Sequence, residues 1–169
     1  MLDGSVVRGA SGGAGEIGHV PVDEGGMRCT CGNAGCLEAY AGGWALLRDL
    51  RSDGRDVFTI PDIVKLIVAG DPLAVNLVRR AGLFIGSTLS DVVSLFNLSV
   101  VVIGGELAAG SDYVIAGIRQ SMYARSLPLA TRKLQIVPAR LGDRAGTVGL
   151  TSMLTDYIFD IRRVDAQFA

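Results

Sequence analysis

Three cysteines and one histidine are the residues of this sequence whose types and spacing most directly imply chemistry. Cys29, Cys31 and Cys36 lie within eight positions of one another, and His19, the only histidine, stands ten positions before Cys29. An odd cysteine count fits a disulfide framework badly. Three thiolates and an imidazole instead complete a tetrahedral donor set with no position left for water, which describes a structural zinc site rather than a catalytic one. Gly32 and Gly35 would let the chain turn back between the ligands at positive φ. Residues 23–35 show no hydrophobic periodicity, so metal binding would supply the free energy that this loop cannot draw from a core. The alternative is three free buried thiols beside an unrelated imidazole.

Two carboxylates frame this cluster. Glu16 sits in a glycine-rich turn, and Glu38 follows Cys36 in the first turn of an expected helix. Taken alone, they read as a solvated turn residue and a partner of the helix dipole.

The elements that must position these groups are legible from periodicity. Ser5–Arg8 and Val20–Val22 are expected as short strands flanking a loop. Leu37, Tyr40, Trp44 and Leu47 fall at helical spacing and predict one helix to about Leu50, followed by a polar link from Arg51 to Thr59. Pro61 opens a short helix to about Ala69. Asp71 as N-cap with Pro72 behind it starts a long one to about Phe96, in which Gly82 and Gly86 mark where another helix approaches closely. Val100–Ile103 reads as a strand buried on both faces. Ser111 caps a helix to about Arg125, Leu134–Val137 is a second buried strand, and Ala145 to about Ile158 forms a last helix. Strand, helix, strand, helix implies a parallel α/β layer.

Gly13–His19 reads GAGEIGH and Cys29–Glu38 reads CTCGNAGCLE. Together they resemble the signature of the ROK family (repressor, open reading frame, kinase), in which a GEIGH turn precedes a CxCGxxGCxE loop. The resemblance continues through VVVIGGEL at Val100–Leu107 and DRAGTVG at Asp143–Gly149, and it corresponds to the C-terminal half of a family member. It implies a single α/β domain over residues 1–169, the C-terminal subdomain of the actin-like, ribonuclease H-like sugar-kinase fold. A zinc and sugar-contact loop would span about 12–38 and an α/β and helical part about 39–169, with the N-terminal lobe outside the chain. Of three readings of Met1, a native start is the least expected, the others being a cut boundary and a misassigned gene start.

By position, the family's sugar-contacting residues correspond to Glu16, His19 and Glu38, and its zinc ligands to His19, Cys29, Cys31 and Cys36. The chemistry agrees: a carboxylate accepts two hydroxyl hydrogens from a vicinal diol, and an imidazole holds a metal with one nitrogen while presenting the other.

No DxGGT phosphate turn, no segment carrying a general-base aspartate and no helix-turn-helix is found. The chain by itself is therefore expected to have no catalytic residues and to be neither a complete kinase nor a complete repressor. Gly104 and Gly105 would lie beside a nucleotide if the parent protein binds ATP with Mg²⁺. Kinases of the family carry a third glycine where this chain has Glu106, whose charge would repel ATP, unless it turns outward. CLEAYAGGWALL at Cys36–Leu47 and TDYIFDIRR at Thr155–Arg163 are closer to the regulator branch. The expected function is thus sugar sensing by the effector domain of a ROK transcriptional regulator, resembling N-acetylglucosamine or xylose repressors. The alternatives are half of an ATP-dependent sugar kinase and a stand-alone zinc-stabilised module.

Composition sets the outer limits. The chain has 169 residues, 49% hydrophobic and 20% charged, with 16 Lys and Arg against 17 Asp and Glu. That suits a globular domain with a real core. It lacks the basic excess that binding to phosphates demands, so DNA would be reached only through a region outside this chain. No signal peptide or membrane-length apolar run is found, and the expected compartment is the cytoplasm. Ala81–Leu98 is apolar around most of its circumference, which fits either a central helix or a homodimer seam.

Overall fold

The computed structural model describes Met1 and residues 5–161. Arg162 and Arg163, at the end of the TDYIFDIRR segment, lie outside the described residues. The chain divides into two compact units, Met1–Pro138 and Ala139–Ala169.

In the first unit an irregular glycine-rich segment leads to α1 (Glu38–Ala41), α2 (Gly43–Ser52), α3 (Ile60–Val68) and the long α4 (Pro72–Phe96). Then come β1 (Val100–Ile103), α5 (Glu106–Gly110), α6 (Asp112–Arg125), α7 (Pro128–Thr131) and β2 (Gln135–Pro138). The helix starts follow from local chemistry. Thr59 and Asp62 form a reciprocal capping box ahead of α3, which satisfies amides that no helical carbonyl reaches. Asp71 Oδ1 accepts from the Ala74 amide at 2.9 Å, and Ser111 Oγ accepts from the Tyr113 amide. Asn97 closes α4 in the left-handed conformation at φ 47°, a role its short polar side chain tolerates.

The core joins α2, α3, α4 and α6 to one face of the sheet. Leu46, Leu50, Ile63, Val78, Val93, Ile118 and Met122 are fully buried, with Val101 of β1 and Ile136 of β2 in the same cluster. The α4–α6 crossing is close because glycines face each other across it. A Cβ on Gly82 would lie 3.1 Å from Gly117 Cα, and one on Gly117 would lie 3.0 Å from Gly82 Cα. Gly86 meets the Ile118 backbone in the same way, so the expected close approach at Gly82 and Gly86 is present and α6 makes it.

β1 and β2 pair in parallel with Val101 opposite Ile136, the strand–helix–strand layer expected from periodicity. β1 is not buried on both faces, however. Val101 points inward, but Val100 is 45% and Val102 59% exposed. A β-branched run signals a strand without signalling what covers its second face. The Gln135 amide bonds the Ser99 carbonyl, so the carbonyl of Ile136 points away from β1, where Arg119 Nη2 donates to it at 2.7 Å.

Two other expectations are corrected. Ser5–Arg8 and Val20–Val22 form no regular strands: the first holds a single bridge residue, Ser5, and the second contributes only an antiparallel bridge between Pro21 and Cys36. The predicted helix from Leu37 to Leu50 is two helices, broken at Gly42, which is extended at φ −70°, ψ 151°. The second unit holds a 3-10 turn at Gly142–Arg144 and α8 (Ala145–Ile158), none of whose residues is buried. No helix among the described residues is long and apolar enough to cross a membrane.

Candidate metal and ligand site

The loop that carries the candidate site is tied together chiefly by its own backbone. Val22 donates to Gly35, Gly35 to Met27, Cys29 to Asn33, and Leu37 back to Val20, all at 2.8–2.9 Å. Gly32 (φ +95°) and Gly35 (φ +76°) make the expected left-handed turns, and a side chain on Gly35 would run into the Asp23 carbonyl. His19 ends a 3-10 turn, Ile17–His19.

This path gathers the four predicted ligands. One donor atom from each of His19, Cys29, Cys31 and Cys36 lies within 4.8 Å of every other. Cys29 Sγ stands 3.7 Å from His19 Nδ1, and Cys31 Sγ 3.7 Å from Cys36 Sγ. An ion held tetrahedrally at about 2.3 Å by sulfur places its ligand atoms roughly 3.6–3.8 Å apart. The donor set and its spacing therefore fit zinc. The Asn33 amide, above all, holds the Cys31 thiol below its usual range. Burial foremost, with the neighbouring thiols, pushes Cys36 up to about 11.

Of the predicted sugar contacts, the structure brings two together. Glu38 Oε2 lies 3.6 Å from His19 Nδ1, both side chains being about one-third exposed at 33% and 38%. Nδ1 thus faces the thiols and Glu38 and leaves Nε2 on the far side of the ring. Glu16 is exposed at the start of the 3-10 turn and makes no side-chain hydrogen bond or ion pair among the described residues. Gly104 and Gly105 line a separate hollow of about 270 Å³ with Gly43, Ile60 and Glu106, so Glu106 borders the same space as the two glycines.

Two positioning contacts were not anticipated. Tyr40 donates to Asp23 Oδ2 at 2.6 Å and accepts from the Met27 amide at 2.8 Å, stitching α1 to the loop. The hydrogen bond to Asp23 is what raises the Tyr40 phenol above its usual range. Trp44 Nε1 donates to Glu38 Oε1 at 3.0 Å. Periodicity assigned both aromatic residues to the apolar face of a helix, which hid their polar ends.

The ROK family profile matches residues 1–156, and the chain belongs to the ROK family. It is 29% identical over 161 residues to a xylose repressor from Bacillus spizizenii, covering 95% of this chain and 42% of that protein. Among solved structures it is similar to a ROK family transcriptional regulator described as a homolog of the Escherichia coli MLC protein. The TM-score is 0.76 at 33% identity, over 83% of this chain and 38% of that one. It is also similar to a ROK glucokinase from Streptomyces griseus in complex with glucose and AMPPNP, with TM-score 0.73 and 31% identity, over 88% and 54%. The α/β fold is that of the ROK proteins, and the chain spans about half or less of the length of these relatives.

Proposed function

We propose that this chain is the sugar-binding effector part of a ROK transcriptional regulator. His19, Cys29, Cys31 and Cys36 hold a structural zinc, and Glu16, His19 and Glu38 read sugar hydroxyls. The observation that carries the reading is His19 itself: one ring nitrogen stands 3.7 Å from a thiol and 3.6 Å from Glu38. The same imidazole thereby joins the metal cluster to a carboxylate suited to a diol. Bound zinc would fix the loop and the His19 tautomer; it has no open position for chemistry.

The regulator branch is favoured by the likeness to the xylose repressor over nearly the whole chain and by Glu106 beside Gly104 and Gly105. In this reading xylose or N-acetylglucosamine are the first sugars to try. The protein works in the cytoplasm, two copies pair, and DNA is contacted through a region outside this chain. Sugar binding shifts an equilibrium between two arrangements of the whole protein and so changes DNA affinity. The glucokinase likeness keeps ATP-dependent phosphorylation of a sugar as the second reading.

One assay separates them. The full-length protein, given ATP, Mg²⁺ and glucose, xylose or N-acetylglucosamine, is expected to release no ADP above background while sugar weakens its hold on operator DNA. Sugar-dependent ADP release would overturn the regulator reading. Metal analysis is expected to give about one zinc per chain.

A further inference from the structure

The contact between Trp44 and Glu38 exists because of the break at Gly42. Residues six apart on a continuous helix sit about 240° apart around its axis and cannot touch. The extended residue at Gly42 restarts the helix in a new direction, so that the indole N–H reaches Glu38 Oε1. Only glycine fits there. A Cβ on Gly42 would lie 2.5 Å from the Glu38 carbonyl oxygen, 2.9 Å from Glu38 Cγ and 3.3 Å from Trp44 Nε1.

The indole is itself held on several sides. It packs against the buried Cys29, Cys36 and Ala39 cluster. The Arg48 guanidinium lies 5.2 Å from its ring centre, and Arg48 also donates to the Ala39 carbonyl at 3.1 Å. Trp44 thus leans on the thiol cluster and grips one oxygen of the neighbouring carboxylate. The other oxygen faces His19.

We propose that Trp44 is the positioning residue of Glu38: its N–H holds Oε1 and fixes the carboxylate plane, so that Trp44 sets which sugar hydroxyls the site distinguishes. The inference rests on Glu38 contacting the sugar. A carboxylate free to rotate accepts from diols of several geometries, whereas one pinned at a single oxygen presents one direction and discriminates among sugars that differ in which hydroxyls they carry, by leaving the site's acceptor unpaired with the wrong one.

The test uses Trp44→Phe, which keeps a ring on the thiol cluster and under Arg48 but removes the N–H, together with Glu38→Ala and the double variant. In the full-length protein, affinities for D-xylose, D-glucose and N-acetyl-D-glucosamine are measured by calorimetry. The W44F variant is expected to lose roughly tenfold for the preferred sugar, the scale of a hydrogen bond to a charged group. It should also narrow the ratio between preferred and poor sugars, with zinc content unchanged. In the E38A background the same change should cost nothing further. An effect of E38A with none of W44F, or a W44F loss equal for all three sugars, overturns the positioning role. No effect of E38A overturns the sugar reading instead.

A second measurement needs no sugar. Trp44 is the only tryptophan in the 169 residues, so the emission of this chain reports on that one indole. E38A is expected to shift its maximum, and E38Q, whose amide oxygen still accepts, to shift it less. An identical maximum in wild type and E38A overturns the proposal even if none of the three sugars binds.

Discussion

The cysteine loop and the α4–α6 crossing are both rich in glycine, and they use it for opposite ends. In the loop, Gly32 and Gly35 supply positive φ so that a short chain can fold back on itself. Its buried apolar residues are few: Cys29 and Cys36, with Leu37 and Ala39 where it runs into α1. In the crossing, Gly82, Gly86 and Gly117 have no side chain because two helix backbones occupy that space. A large core of Leu, Ile and Val surrounds them. On the proposed zinc reading, one region depends on the identity of its donor atoms, the other on volume. Ligand chemistry and close packing should therefore fail separately.

The sharpest break is at the ligands. Cys36→Ser, or removal of metal by a chelator, is expected to abolish stoichiometric zinc and melt the loop, since such sites contribute folding free energy outright. Amide exchange should rise by orders of magnitude over residues 20–37 while α4 and α6 keep their protection. A uniform loss across the whole chain would show that the two regions are one cooperative unit. The converse break is Gly117→Ala, whose Cβ meets the Arg79 carbonyl and Gly82 Cα. Although Ala is about 1 kcal/mol better than Gly inside a helix, overpacking should leave a net loss of about 1–3 kcal/mol, seen in denaturant unfolding, with zinc content intact.

The clustering of His19, Cys29, Cys31 and Cys36 was legible because only a few residue types bind soft metals, and all of this chain's cysteines and its one histidine lie close together in sequence. Asp71, Pro72, Gly82 and Gly86 were legible for a similar reason: capping and close approach have narrow chemical requirements. What periodicity could not give was geometry beyond the single helix. Leu37, Tyr40, Trp44 and Leu47 keep helical spacing across Gly42, so the break there leaves no trace in the pattern. Nor could the pattern reveal that the polar ends of Tyr40 and Trp44 bond Asp23, the Met27 amide and Glu38. Val100 and Val102 look like core residues in sequence; their exposure reflects what covers the second face of β1, which no residue of β1 encodes.

The smallest expected effect sharpens the comparison through acid. Thr59, first, and then Lys65 hold the Asp62 carboxyl well below the usual carboxylate range; the Ala74 amide, followed by Arg55, does the same for Asp71. Both folded values lie below the ordinary value of 3.8. The stability they lend is therefore present above that value and lost as pH falls through the folded ones. Both residues cap helices of the packed region and neither touches the loop. Asp71→Asn retains an acceptor for the Ala74 amide but removes the charge. It should lower the melting temperature by at most a few degrees near neutrality, with the difference vanishing in acid. A difference that persists at low pH would mean that the carboxylate's charge is not what matters.

Arg119 gives the two-stranded sheet a direction of growth. Parallel strands seldom stand with open edges, because unpaired amides recruit any extended chain that passes. On the outer side of β2 one carbonyl is already occupied by a guanidinium, a charged obstacle to an incoming strand. Along β1 no such guard stands among the described residues, and Val100 and Val102 add an apolar incentive. Whatever extends this sheet, whether a neighbouring part of a larger protein or unwanted self-association at high concentration, should therefore join alongside β1.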